Sequence, residues 1–278
     1  MICKENNNGV YIENITDLDL LQTLDCGQSF RWIQLPDGSF KGIAYGKSVT
    51  VRLKDSTLYI DNTTKEDFEK IWRSYFDLGL DYGKIREDIG KLHPILDEAT
   101  KYAPGIRILR QEPFEALITF IISQNNNIKR IKGIVQRFCE SFGEQISENE
   151  FAFPTAEKTA TLTEDDLAPL RAGFRNRYII DAGQKVASGE VNLELCKTLP
   201  YEEARKELIK IKGVGTKVAD CTLLFGMHRT EAFPIDVWMK KAMAKLFPEM
   251  SANDFGEHAG IAQQYIFHYS RMHPELFD

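Results

Sequence analysis

Two side chains in the last third of the chain have the types and placement needed to attack a sugar carbon and break a glycosidic bond. Lys217 stands in the run Ile211-Lys-Gly213-Val-Gly215-Thr-Lys217-Val-Ala-Asp220, and Asp236 follows nineteen residues later in Phe233-Pro-Ile-Asp236-Val-Trp-Met239. An amine held in a partly apolar, cation-rich place can lose its proton and become a nucleophile. Asp236 reads as an N-cap or first-turn residue, where the helix dipole and free N–H groups keep a carboxylate ionised. Facing a sugar C1′, such a carboxylate stabilises the oxocarbenium character that builds as a glycosidic bond breaks. Each residue also has a plainer reading. Roughly nine in ten helical lysines are solvated decoration, and Asp236 can simply cap its helix. Cys221 and Leu224, at i+4 and i+7 from Lys217, give the lysine a partly apolar helix face.

The elements that place these groups follow from the flanking residues. Pro200 suits the first turn of a helix, and Ala204, Leu208 and Ile211 form its apolar stripe. Gly213 and Gly215 allow a tight turn with left-handed dihedrals, and Val214 between them plugs the crevice. A second helix starts at Thr216, so residues 201–226 read as a helix–hairpin–helix. Such a hairpin aims backbone N–H groups and a helix dipole at an anion, a grip on a DNA phosphate that ignores sequence. An ordinary helical hairpin is the alternative for Gly-X-Gly alone; the full run is more specific.

Upstream, short alternating runs at Ser29–Gln34, Ser39–Ala44, Ser48–Leu53 and Thr57–Ile60, separated by Pro36-Asp-Gly38, Gly46-Lys47 and Lys54-Asp55, predict an antiparallel meander. Gly42 to Ser48 imitates a phosphate-binding loop but is one residue short and precedes a strand. From about residue 64 the period becomes helical, with Glu66–Leu78 and a broad buried face of Phe114, Leu117, Ile118, Ile121 and Ile122. Ile131, Ile134, Val135 and Phe138 mark the next helix. Further helices are expected at 165–171, 177–188, 201–211, 216–225, 237–246 and 259–271, uninterrupted by strands. The fold class is α+β: an N-terminal antiparallel β-sheet domain, residues 1–110, and an all-helical body, residues 111–278.

Net charge is −6, which argues against a non-specific nucleic-acid binder, but the distribution is uneven. Residues 201–245 hold seven Lys and two Arg against six acidic groups, and residues 124–140 hold Lys129, Arg130, Lys132 and Arg137 against Glu140. Two basic segments on an acidic chain can form a DNA-facing surface. Cys3, Cys26, Cys139, Cys196 and Cys221 lie far apart without metal-ligand spacing, which argues against zinc and iron–sulfur sites and for reduced thiols in a cytoplasm. No apolar run reaches the roughly 20 residues of a membrane span. The start has no signal-peptide succession.

Residues Gly213 to Asp236 resemble the helix–hairpin–helix, Gly/Pro-loop and aspartate signature of the DNA glycosylase superfamily, and Lys217 is similar to the lysine of its bifunctional members. The four-cysteine cluster motif of the endonuclease III and adenine glycosylase branches is missing. Gly27-Gln-Ser-Phe-Arg-Trp32, Gly105-Ile-Arg-Ile-Leu-Arg-Gln111 and Ser123-Gln-Asn-Asn-Asn-Ile128 are similar to the eukaryotic-type 8-oxoguanine DNA glycosylases, over nearly the whole chain.

The resemblance implies that the Gly27 carbonyl accepts the N7 proton that 8-oxoguanine has and guanine lacks. It implies that Phe267 and Cys221 sandwich the flipped base while Gln263 bonds its Watson–Crick edge. Asn125 fills the hole in the duplex, Phe174 wedges beside it, and Arg130 and Arg175 read the opposite cytosine. Read without the family, Phe267 is core, Gln263 surface polar and Asn125 a helix C-cap. Trp238 stands where many relatives have a phosphate-contacting histidine, and Phe174 where a tyrosine is usual.

The implied reaction has Lys217 attack C1′, a Schiff base form and β-elimination nick the strand, with no cofactor and no catalytic metal. A structural cation on the carbonyls of Ile209, Ile211 and Val214 is the most the hairpin calls for. The expected partner is duplex DNA holding 8-oxoguanine opposite cytosine, met by a monomer in a bacterial or archaeal cytoplasm. The rivals are a monofunctional alkylpurine glycosylase, which needs only the aspartate, and a non-enzymatic damage-binding protein.

Overall fold

A computed structural model describes residues 2–277. Six antiparallel strands form one sheet: β1 (Ile2–Asn6), β2 (Gly9–Glu13), β3 (Trp32–Gln34), β4 (Phe40–Ala44), β5 (Lys47–Lys54) and β6 (Thr57–Asp61). Their order across the sheet is β1-β2-β6-β5-β4-β3. The expected meander is β3 to β6, and its turns follow from local chemistry. Tyr45 and Gly46 both take positive φ (51° and 67°), as do Asp55 and Ser56 (47° and 58°), the pairing a two-residue hairpin needs to match strand twist. The β1–β2 hairpin, which lies outside the expected meander, adds to the far edge through β2 and β6. It was hidden because β1 is almost wholly exposed and shows no alternation.

One face of the sheet buries Val10, Ile12, Trp32, Val49, Val51, Leu58 and Ile60 against Leu24, Phe68, Trp72, Tyr75 and Phe76. The Trp32 indole N–H donates to the Tyr75 hydroxyl at 2.7 Å, so the one polar atom of that buried ring is satisfied. The expected helix at 66–78 forms with a π-helical turn at Phe68–Trp72 between α-helical ends.

A second, larger core belongs to the helical body, and the helices Tyr82–Gly90 and Pro94–Tyr102 contribute Ile85, Ile89, Leu96 and Ala99 to it. At its centre the helix Pro113–Ser123 buries every residue from Glu115 to Ile122. The helix that carries Lys217, Thr216–Met227, packs directly on it. Phe120 and Phe225 stack at 5.2 Å, the Gln111 N–H donates to the Phe225 carbonyl, and a Cβ on Gly226 would lie 2.9 Å from that of Ala116. Glycine at 226 is therefore what lets the lysine helix approach so closely.

Two expectations need correction. The body is not free of strands: Gln145–Ser147 pairs with Glu150–Phe151 in a small hairpin, too short and too exposed to leave a periodic signal. The helix expected at 165–171 is α-helical only over Glu164–Leu167 and tightens to a 3-10 turn at Ala168–Leu170, where Pro169 has no N–H to continue the ladder. The helices Tyr201–Ile209, Val237–Leu246 and Ala259–Met272 form where periodicity placed them.

Candidate active site and DNA-facing surface

The hairpin turn is shaped by its glycines in two different ways. Gly213 has φ +78°, and a Cβ there would lie 2.3 Å from the Tyr178 ring, so only glycine fits. Gly215 is not left-handed, contrary to expectation: its φ of −100° and ψ of −176° are those of an N-cap, and no atom stands within 4 Å of where its Cβ would be. The physical reason is that the lysine helix starts immediately after it, and an N-cap needs extended dihedrals. Its missing side chain leaves the first N–H groups of the helix uncovered. Val214 is buried as a plug, and its N–H donates to the Ile211 carbonyl at 3.0 Å. Ile211 itself is buried, whereas Ile209 is 39% exposed, so the three residues named for a cation span the inner and outer sides of the turn.

Lys217 sits in the first turn of this helix, half-buried. Its ammonium donates to the Ser123 hydroxyl at 3.2 Å and lies 5.2 Å from the Phe120 ring centre. One turn on, Cys221 is buried, and burial pushes its thiol up to about 11 against the pull of the Lys217 charge, with Asp220 and Asp236 adding to the rise. The thiol therefore stays protonated. Asp236 caps the helix Val237–Leu246, accepting from the Met239 N–H at 2.7 Å. A cleft of about 520 Å³ opens beside Lys217, walled by Arg205, Asp220, Phe233, Ile235 and Gly256.

The residues singled out for base recognition lie on two segments that meet. Gly27 has φ +92° between two buried neighbours, Cys26 and Gln28. Gln263 is buried rather than surface polar, its amide donating to the Pro234 carbonyl at 3.2 Å. Phe267 is half-buried at the edge of the core, with the Arg271 guanidinium 5.3 Å from its ring centre.

A third group gathers on the surface beyond Ser123. Asn125 follows the end of the helix Pro113–Ser123 with φ 46°, exposed in the left-handed conformation. Phe174 is 47% exposed, and the Arg175 guanidinium lies 4.4 Å from its ring centre. Arg175 is itself buried and donates to the carbonyls of Gln124, Asn125 and Ala172, which ties the two loops together. Arg130 is exposed and reaches the Arg171 carbonyl at 3.3 Å. Trp238 turns its indole N–H to the Ser270 hydroxyl at 2.8 Å, so that donor is committed inside the protein. Sequence reasoning missed Ser123 and Phe120 as partners of the lysine, and Gln264 beside Gln263. Ser123 opens a run already quoted, so its neighbour relation to the lysine was the unread signal.

Residues 10–117 match the family described as 8-oxoguanine DNA glycosylase, N-terminal domain, and residues 118–254 match the HhH-GPD superfamily base excision DNA repair proteins. An N-glycosylase/DNA lyase of Saccharomyces cerevisiae is 34% identical over 274 residues, spanning 86% of this chain and 71% of that protein. The chain belongs to the 8-oxoguanine DNA glycosylase family. Its fold is similar throughout to that of MBOgg1, solved with a low-affinity DNA ligand (TM-score 0.94, 42% identity, 98% of this chain and 99% of that one). It is similar also to the Clostridium acetobutylicum 8-oxoguanine glycosylase/lyase, solved with duplex DNA containing cytosine opposite 8-oxoguanine (TM-score 0.93, 39% identity, 99% of both chains). Among the described residues no cluster of three or more His, Cys, Asp or Glu side chains can hold a metal ion, and no helix is long and apolar enough to cross a membrane.

Proposed function

We propose that this protein is a bifunctional glycosylase and lyase that removes 8-oxoguanine from duplex DNA opposite cytosine and then nicks the strand. The observation that carries the proposal is Lys217, half-buried at the N-terminus of the hairpin's second helix with its amine on Ser123 and Phe120. The open N–H groups at Gly215 hold a phosphate, which fixes the sugar relative to the lysine. Lys217 attacks C1′ as the C1′–N9 bond breaks, and Asp236 stabilises the positive character at the sugar. The base leaves with a proton, the sugar ring opens to a Schiff base, and loss of a C2′ proton expels the 3′ phosphate. Hydrolysis of the imine returns the amine.

Gly27, Cys221, Gln263 and Phe267 form the base pocket in this reading. Asn125 and Phe174 occupy the gap, and Arg130 and Arg175 meet the cytosine, Arg175 by exchanging the Gln124 and Asn125 carbonyls for the base. Five free cysteines fit a reducing cytoplasm of a bacterium or archaeon. The test is sodium borohydride trapping on a duplex with 8-oxoguanine opposite cytosine, comparing wild type with Lys217→Gln. A covalent adduct from wild type alone supports the proposal. Base release without an adduct points to a monofunctional enzyme, and binding without either points to a damage-binding module.

A further inference from the structure

Two adjacent glutamines, Gln263 and Gln264, are buried in the helix Ala259–Met272. Burying one amide costs free energy unless every donor and acceptor finds a partner, and burying two doubles that demand. Here the demand is met by a continuous chain of bonds. The Gln263 Nε2 donates to the Pro234 carbonyl at 3.2 Å, and the Gln264 Nε2 donates to the Gln263 Oε1 at 2.7 Å. The Gln264 Oε1 faces the Cys26 Sγ at 3.7 Å, 238 positions away in sequence. Burial pushes the Cys26 thiol up to about 11, so it keeps its one proton, for which the Thr23 carbonyl at 3.4 Å and the Gln264 Oε1 are the two acceptors. The Gln28 Nε2 lies 3.4 Å from the Cys26 Sγ and gives its two protons to the Thr23 and Arg107 carbonyls at 2.8 Å, while its Oε1 accepts from the Leu109 N–H.

Two consequences follow from this connectivity. With Pro234 taking the amino end of the Gln263 amide and Gln264 feeding its oxygen, a 180° flip would set amino against amino and oxygen against oxygen. The Pro234 carbonyl and the Gln264 amide thus together determine which end of Gln263 is acceptor and which donor. On its other side, Gln264 holds the residue immediately before Gly27, whose φ of +92° sets where its carbonyl points. One buried side chain therefore touches both arms of the base pocket.

We propose that Gln264 is a positioning residue that locks the Gln263 amide and the Gly27 carbonyl into one register, and that this register sets the preference for 8-oxoguanine over guanine. The proposal rests on the base-pocket roles given to Gly27 and Gln263 above. It concerns recognition of the base and leaves the lysine chemistry untouched.

The experiment compares wild type with Gln264→Leu, Cys26→Ala and the double variant. Single-turnover base release is measured on duplexes with 8-oxoguanine or guanine opposite cytosine. Borohydride trapping on a duplex that already holds an abasic site reports the lyase step without any base to read. If wild type fails to release 8-oxoguanine, the function itself is wrong and no variant is needed to show it. If wild type is active, the expected result for Gln264→Leu is a loss of about tenfold in release of 8-oxoguanine relative to guanine, the effect of one lost buried hydrogen bond. Trapping on abasic DNA should stay at the wild-type level, and Cys26→Ala should lose part of the same preference without adding to Gln264→Leu in the double variant. A parallel fall in base release and abasic trapping would show a merely structural role and overturn the proposal. Unchanged selectivity would overturn it as well. A variant too unstable to assay leaves Cys26→Ala to decide, by the same two readouts.

Discussion

The ammonium of Lys217 donates to the Ser123 hydroxyl at 3.2 Å, and that hydroxyl donates its own proton to the Phe120 carbonyl at 2.8 Å. Ser123 ends the buried central helix, two residues before the exposed Asn125. The resting position of the Lys217 amine is thus set by the element that also leads into the exposed loop at Asn125. A serine whose proton is already committed offers the lysine only lone pairs, so it orients the amine without competing for its electron pair.

Replacing Ser123 with alanine should therefore slow Schiff-base trapping by about tenfold, the worth of one hydrogen bond to a charged group. DNA affinity should stay near wild type, because the hydroxyl points at the lysine. Equal trapping rates for Ser123→Ala and wild type, measured in single turnover, would show that the contact does not orient the reacting amine.

The two hairpin glycines should respond differently to the same added methyl. Gly213→Ala meets the Tyr178 ring at 2.3 Å with φ at +78°, and should cost at least about 2 kcal/mol of folding stability. Gly215→Ala meets nothing within 4 Å at an ordinary φ, and should change stability by less than about 0.5 kcal/mol. Its methyl would nevertheless stand among the open N–H groups and weaken duplex binding several-fold. Denaturant melts paired with fluorescence anisotropy separate the two. Unaltered affinity in Gly215→Ala would remove the phosphate from that site.

What could be read from the chain in advance was whatever depended on local chemistry. The hairpin, Lys217 and the capping role of Asp236 rest on Gly, Pro and Asp within a few positions of one another, and the meander rests on two-residue turns. What could not be read depended on contacts between distant segments. Gln264 and Cys26 pair across 238 positions, and no spacing rule joins them. Gln263 looked like surface because a glutamine in a helix usually is, and its burial depends on Pro234 being there to accept. The resemblance implies that Arg175 reads the opposite cytosine, and its donors go to three carbonyls of neighbouring loops. Trp238, in place of a histidine, has its partner Ser270 thirty-two positions away, beyond the reach of any local pattern.

Asp236 carries two roles that a pair of substitutions can separate. Asparagine caps a helix about as well as aspartate, so Asp236→Asn should keep the bond from the Met239 N–H and melt close to wild type. Asp236→Ala should lose about 1 kcal/mol of stability. Both should lose base release by at least about a hundredfold, since neither presents a negative charge to the sugar. An Asp236→Asn variant that excises at the wild-type rate would reduce the aspartate to a cap.

Far from the reacting groups, Glu115 is buried in the first turn of the central helix with Arg31 as its counter-charge, Oε2 to Nη1 at 3.5 Å. The two facing atoms are too far apart for a hydrogen bond, and neither has another partner. Burial outweighs the arginine, with Glu112 adding to it, and pushes the carboxyl up to about 7. The folded protein thus binds a proton that the unfolded chain, titrating near 4.5, has lost. Stability from that proton is fully present below pH 4.5, falls as pH rises toward 7 and is flat above. Relative to Glu115→Gln, which cannot titrate, wild type should lose on the order of 3 kcal/mol across that window. Urea melts of both proteins from pH 4.5 to 8 measure the difference directly. A gap between the two proteins that stays constant or widens in favour of wild type with rising pH would mean that Arg31 keeps the carboxylate ionised. In that case the Arg31–Glu115 pair, rather than a buried neutral acid, joins the sheet domain to the helix behind the lysine.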